Sequence, residues 1–68
     1  MESTLISVKG MSCDGCVRNV TKILLGVPGV ASAEVSLQKE EAQVEFDPSQ
    51  ASRADLLRAI NAGGFESA

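Results

Sequence analysis

Two cysteines stand two residues apart in Gly10-Met11-Ser12-Cys13-Asp14-Gly15-Cys16, and the chain has no others. It has no histidine. Any thiol or soft-metal chemistry therefore falls on Cys13 and Cys16, whose spacing puts both sulfurs within reach of one ion. A C-x-x-C pair serves several chemistries: a redox dithiol, half of a structural zinc site, ligands of a cluster, or a two-thiolate transfer site. A closed zinc site takes four nitrogen or sulfur ligands, and an iron–sulfur cluster asks for as many. This chain would have to add carboxylates, solvent or a second molecule. Two thiolates alone satisfy a soft ion that accepts two-coordinate geometry. Cu(I) is the commonest, and Hg(II) and Ag(I) are chemically similar. Such an ion stays open to an incoming thiolate, which is what transfer between proteins requires.

The alternative is redox chemistry. A dithiol at a helix N-terminus can acquire a lowered thiol pKa and cycle through a disulfide. A thioredoxin-like domain generally needs a longer chain and a different order of elements. A small dithiol oxidoreductase remains the reading of a different class.

The elements that position the cysteines follow from periodicity. Thr4-Leu5-Ile6-Ser7-Val8 reads as a strand, with Ile6 and Val8 on one side, and Lys9-Gly10 ends it. A helix is expected over about Asp14 to Leu25. Its apolar face is Cys13, Cys16, Val17, Val20, Ile23, Leu24 and Val27, with Arg18, Asn19 and Lys22 opposite. Cys16 then sits in the first turn, where unpaired N–H groups and the helix dipole favour a thiolate. Cys13 lies before the helix, in the more mobile loop, and is the expected first point of ligand exchange. Gly26 stops the helix, and Pro28-Gly29 turn the chain.

Val30 to Leu37 predicts a second strand. Gln38-Lys39-Glu40-Glu41 predicts a charged turn. Ala42 to Asp47 predicts a third strand with Ala42, Val44 and Phe46 buried, pairing as an antiparallel hairpin. Asp47-Pro48 breaks it. Ser49 or Ser52 could cap a second helix running to about Ala62. Its apolar stripe is Leu56, Leu57 and Ile60, with Arg53 and Arg58 outside. Gly63-Gly64 end it, and Phe65 to Ala68 remain for a short edge strand. The order βαββαβ places both helices on one face of a four-stranded antiparallel sheet, an α+β split βαβ arrangement.

Composition narrows the partners. The 68 residues make one small domain, expected over 1–68, and the net charge is −3. The only aromatic residues are Phe46 and Phe65, so nucleic acid finds neither a basic patch nor a stacking platform. Up to Gly26, Lys9, Arg18 and Lys22 stand against Glu2 and Asp14; from Val27 onward three bases stand against seven acids. The cysteine end is mildly basic, so Lys9, Arg18 and Lys22 could offset thiolate charge or steer an acidic docking partner. Simple solvated surface is the plainer reading. No apolar run approaches the ~20 residues that cross a bilayer. The start lacks a signal-peptide pattern. A cytoplasmic, thiol-reducing setting is expected.

Gly10 to Cys16 resembles the G-M-x-C-x-x-C motif of heavy-metal-associated domains, which include copper chaperones, the N-terminal domains of P-type metal ATPases and mercury-binding proteins. The resemblance runs on through Val27-Pro28-Gly29-Val30, Val44-Glu45-Phe46-Asp47-Pro48 and Ala59-Ile60-Asn61-Ala62-Gly63-Gly64-Phe65. It implies the ferredoxin-like βαββαβ fold and a metal held by Cys13 and Cys16 at an exposed tip. By the same resemblance Met11 packs under the loop and is not a ligand, and Phe65 lies near the loop. The family position of Phe65 tends to be Phe in ATPase domains, Tyr in bacterial chaperones and mercury-binding proteins, and Lys in eukaryotic chaperones. Phe65 leans toward the ATPase type, while the short chain leans toward a free-standing chaperone.

Relatives that handle Zn(II) or Cd(II) often carry Asp just before the first cysteine. Here that position is Ser12, and Asp14 more naturally faces solvent or the helix start. Cu(I) is thereby favoured over Zn(II) and Cd(II), but not separated from Hg(II). The resemblance implies a non-enzymatic domain, monomeric when metal-free, that exchanges its ion with another C-x-x-C domain, such as that of a copper-transporting P-type ATPase. A mercuric ion binding protein, or the N-terminal domain of a mercuric reductase, is the runner-up.

Overall fold

The computed structural model describes residues 1–67. Its elements are β1 (Glu2–Lys9), α1 (Asp14–Leu25), β2 (Val30–Ser36), β3 (Glu41–Phe46), α2 (Arg53–Ala62) and β4 (Glu66–Ser67). The strands form one sheet in the order β2-β3-β1-β4, antiparallel throughout. This is the α+β split βαβ arrangement expected from the order of elements, and the ferredoxin-like fold that the resemblance implies.

Alternation along the central strands decides which face is covered. Ile6 and Val8 of β1 and Ala42 and Val44 of β3 are fully buried, as are Val20 and Leu24 of α1 and Leu56 and Ile60 of α2. Full burial of a Val, Leu or Ile side chain contributes roughly 1.5–3 kcal/mol. The burial holds α1 in place despite the weak helix formers Val20, Thr21 and Ile23. The Thr21 hydroxyl turns back to donate to the Val17 carbonyl at 2.8 Å. The opposite sheet face, with Ser3, Leu5, Ser32, Glu34, Gln43 and Glu45, is exposed.

Several boundaries differ from the sequence-based expectation. β1 begins at Glu2 rather than Thr4, because β3 pairs with it from Glu2↔Phe46 to Ser7↔Glu41. The hairpin turn occupies residues 37–40, one earlier than expected, so Leu37 leaves β2 and Glu41 joins β3. Glu40 takes φ +52° to close it, and its carbonyl accepts the Val8 N–H at 2.8 Å. In β2 the register slips between Val30 and Ser32. The bulge at Ala31 lets Val30 and Ala33 both pack against the core.

Of the two candidate caps for α2, Ser52 is the one. It accepts from the Asp55 N–H, and Asp55 returns the bond to the Ser52 N–H, a reciprocal capping box. Ser49 instead donates its N–H and hydroxyl to Asp47 Oδ1, at 3.0 and 2.7 Å. Phe65 precedes β4 rather than belonging to it, and Ala68 of the expected last strand lies outside the described residues.

Candidate metal site

The loop between β1 and α1 is shaped by its first residue. Gly10 holds φ +92°, open to glycine and strained for other residues. The chain thereby turns out of the sheet and drops Met11 inward, where it is 7 % exposed within the core. With its side chain in the core, Met11 tethers the loop from below, and the thioether fills space as Met side chains do.

Cys13 then takes the N-cap position of α1, with φ −159° and ψ 169°. Its carbonyl accepts the N–H groups of Cys16 and Val17 at 3.0 and 3.3 Å, the first bonds of the helix. The periodicity had placed Cys13 on the apolar face. The structure corrects this: Cys13 is exposed, because an extended N-cap residue no longer follows the helical repeat. Cys16, one turn inside, is half-buried and packs against the core.

The two sulfurs lie 3.5 Å apart. Ser12 Oγ stands 4.0 Å from the Cys16 sulfur. A hydrogen bond from the Ser12 backbone, then one from the Cys13 thiol, hold the Cys16 thiol below its ordinary value, against a smaller opposing effect of burial. The positive end of the α1 dipole favours a thiolate in the same place. Among the described residues, no group of three or more His, Cys, Asp or Glu side chains is placed to hold a metal ion. Asp14 is exposed in the first turn of α1. The candidate donor set is therefore two sulfurs, one exposed at the rim and one half-buried in a helix.

Phe65 is half-buried, with its ring against the loop's hinge: a Cβ on Gly10 would lie 3.9 Å from Phe65 Cδ1. Lys9, Arg18 and Lys22 are all exposed. Lys9 ends β1 in register with Glu66 of β4, so its nearest cross-strand neighbour is an acid. Arg18 and Lys22 share the outer face of α1 at i and i+4. Gly15 escaped the sequence reading. A Cβ there would stand 3.6 Å from the Cys13 sulfur, so the small residue leaves that sulfur's flank clear. Its signal in the sequence was a glycine in a first helical turn, where better helix formers exist.

The chain matches the heavy-metal-associated domain over residues 5–66. It is 45 % identical over 60 residues to the copper-transporting ATPase HMA4 of Oryza sativa subsp. japonica, covering 88 % of this chain and 6 % of that protein. It is 38 % identical over 60 residues to the copper chaperone CopZ of Enterococcus hirae, covering 88 % of this chain and 87 % of the chaperone. Among solved structures it resembles a copper binding domain from HMA7, a P-type ATPase, with TM-score 0.99, 35 % identity and coverage of 100 % and 92 %. It also resembles oxidized MerP from Ralstonia metallidurans CH34, with TM-score 0.94, 31 % identity and coverage of 98 % and 93 %. The chain thus spans a small part of the ATPases it matches and most of the chaperone. By sequence over almost its whole length, and by fold, it belongs to the heavy-metal-associated domain family.

Proposed function

We propose that this chain binds one Cu(I) through Cys13 and Cys16 and passes it to another C-x-x-C domain. The observation that carries the reading is the pair of sulfurs 3.5 Å apart, one of them exposed. Soft thiolates select a soft ion, and two donors leave it coordinatively open. Exchange begins when a partner thiolate attacks the bound ion. The three-coordinate species then releases Cys13, the rim ligand, before Cys16. One sulfur–metal bond forms for each that breaks, so no redox step or enzymatic turnover is involved. Binding displaces the thiol protons and is favoured as the thiols ionise. Met11 anchors the loop from the core, Phe65 covers its hinge, and Arg18 and Lys22 offer a basic face to an acidic partner.

The relatives named as copper chaperone and copper-transporting ATPases support copper as the ion and a copper ATPase domain as the partner. A cytoplasmic setting and a single domain over residues 1–68 belong to the same reading. The likeness to MerP supports Hg(II) as the second choice, since the same two thiolates suit it.

The test is anaerobic titration of the reduced protein with Cu(I) against a competing chelator, with Zn(II) and Hg(II) in parallel. Tight binding of one Cu(I) per chain and weak binding of Zn(II) are expected. The double variant Cys13→Ser/Cys16→Ser should lose Cu(I) binding and keep its fold. Weak Cu(I) binding by the parent with tight Hg(II) binding would overturn copper in favour of mercury. Loss of both, with reversible disulfide turnover on a protein substrate, would install the oxidoreductase.

A further inference from the structure

We propose that the outer face of the sheet around Leu5 docks the outer face of α1, around Leu25, on a second copy of this chain. Among the described residues, the large apolar side chains left exposed are Met1, Leu5 at 54 % and Leu25 at 50 %. Met1 is the chain start. The other two sit inside surfaces of opposite charge.

Leu5 lies in β1 directly across from Gln43, which in turn faces Glu34 of β2. Glu41 and Glu45 are its diagonal neighbours on β3, roughly 7–8 Å away by the spacing of antiparallel strands. Alternation puts all of them on the face that no helix covers. A shallow groove runs there between Leu5, Glu34, Gln43 and Glu41, with Lys39 at its end. The patch is thus one leucine bordered by three carboxylates, with Lys39 at the end of the groove and the Arg53 guanidinium donating to the Leu5 carbonyl at 3.5 Å.

The outer face of α1 carries the reverse pattern. Gly15, Arg18, Lys22 and Leu25 follow each other at helical spacing and line one groove. Arg18 and Lys22 stand about 10 and 5 Å of helix rise from Leu25, on the scale of the Leu5-to-glutamate separations. Asp14 lies one turn before Arg18 and is the only acid in the helix. An apolar anchor with two cations therefore meets an apolar anchor with three anions.

The two faces belong to opposite layers of the sandwich, so the contact is head-to-tail and does not close on a two-fold axis. Exposed ion pairs are individually weak and screened by salt. The association is therefore weak and salt-sensitive, and is expected only at high protein concentration. Docking places the neighbour's sheet beside Gly15, at the rim of the cysteine loop, so chains packed this way shield the metal loop on one flank.

The experiment is amide NMR of the reduced, metal-free protein from micromolar to millimolar concentration, at low and at high salt. It does not depend on which metal the cysteines hold. Concentration-dependent shifts are expected on both faces, near Leu5, Gln43 and Glu45 and near Arg18, Lys22 and Leu25, and high salt should remove them. Glu34→Lys/Glu45→Lys and Arg18→Glu/Lys22→Glu should each lose the shifts alone. An equimolar mixture of the two variants should restore them on the unaltered helix face of the first and the unaltered sheet face of the second. Shifts confined to α1, shifts unaffected by salt, or a mixture that stays silent would each overturn the proposal.

Discussion

Phe65 and Gly10 meet across the junction of the two halves of the fold. A Cβ on Gly10 would lie 3.9 Å from Phe65 Cδ1, so the ring rests against the backbone hinge of the cysteine loop. The Phe65 N–H donates to the Ile60 carbonyl at 3.3 Å, which ties the ring's backbone to the end of α2. The loop that carries Cys13 and Cys16 is thus supported from two sides, by Met11 in the core and by Phe65 at the hinge.

Phe65→Ala should keep the fold and loosen the loop. The ring is half-buried, so the expected loss is about 1–2 kcal/mol, below the ~3–5 kcal/mol of a fully buried Phe. Transfer of bound Cu(I) to a chelator should become several-fold faster, while Phe65→Leu, which keeps an apolar cover, should stay near the parent. Stopped-flow transfer and urea unfolding measure the two effects. An unchanged transfer rate in Phe65→Ala would detach the ring from the site.

Glycine replacements separate strain from crowding. Gly29 holds φ +95°, and a Cβ there would approach Gln50 Cβ to 2.7 Å. Gly29→Ala therefore meets both a disfavoured backbone and a neighbour that cannot swing away, and should cost about 2 kcal/mol or more. Gly63 has ordinary helical φ, and its added Cβ would meet the tip of Ile23. Ile23 can change rotamer, so Gly63→Ala should cost less. Urea midpoints of the two variants test the order; a reversed order would place the strain at the helix contact.

Much of this was legible in the sequence, for identifiable reasons. Strict alternation in Ala42-Gln43-Val44-Glu45-Phe46 and the helical repeat of Val20 and Leu24 are one-to-one with burial, so those elements and the sheet face they cover could be read directly. What escaped were features set by pairing partners. The bulge at Ala31 and the one-residue shift of the hairpin turn are decided by the β2–β3 register, which alternation within one strand does not encode. Ser49 and Ser52 have equal intrinsic capping ability, and only Asp55 three residues after Ser52 breaks the tie. At the site, the cysteine spacing was visible, but the exposure of Cys13 depends on an extended N-cap backbone that the apolar repeat hides.

Asp47 should give the stability a small acid-side dependence. Its carboxylate accepts both the N–H and the hydroxyl of Ser49, which hold it below the usual carboxylate range. Unfolding removes both bonds and returns the group to its ordinary value. A depressed folded pKa adds stability above the unfolded value, and that stability is lost as pH falls through the folded one. Asp47→Asn keeps an accepting oxygen but cannot titrate. The parent should therefore exceed Asp47→Asn in stability at neutral pH, and the gap should close as the solution is acidified below the ordinary carboxylate range. Thermal unfolding across that window measures it, and a gap that stays constant with pH would assign the difference to packing.

Placing a candidate metal ligand at a helix cap costs the helix a side-chain cap. Cys13 and Ser52 occupy the same position on their helices, both with extended backbone, at φ −159° and −124°. Ser52 accepts the N–H of the third helical residue, whereas Cys13 makes no side-chain cap. A thiol is a weak acceptor, and this one is directed at its partner sulfur. The first turn of α1 is consequently less stable than it would be with a hydroxyl there. A single Cys13→Ser replacement should raise the stability of the reduced, metal-free protein, by about 0.5–1 kcal/mol on the scale of N-cap substitutions, while sharply weakening Cu(I) binding. Ser52→Ala should lose a similar amount without touching the metal. Urea unfolding of the three proteins under reducing conditions decides the matter. A Cys13→Ser protein less stable than its parent would mean that the thiol supports the metal-free loop through its contact with Cys16, and that the cap was never given up for the ligand.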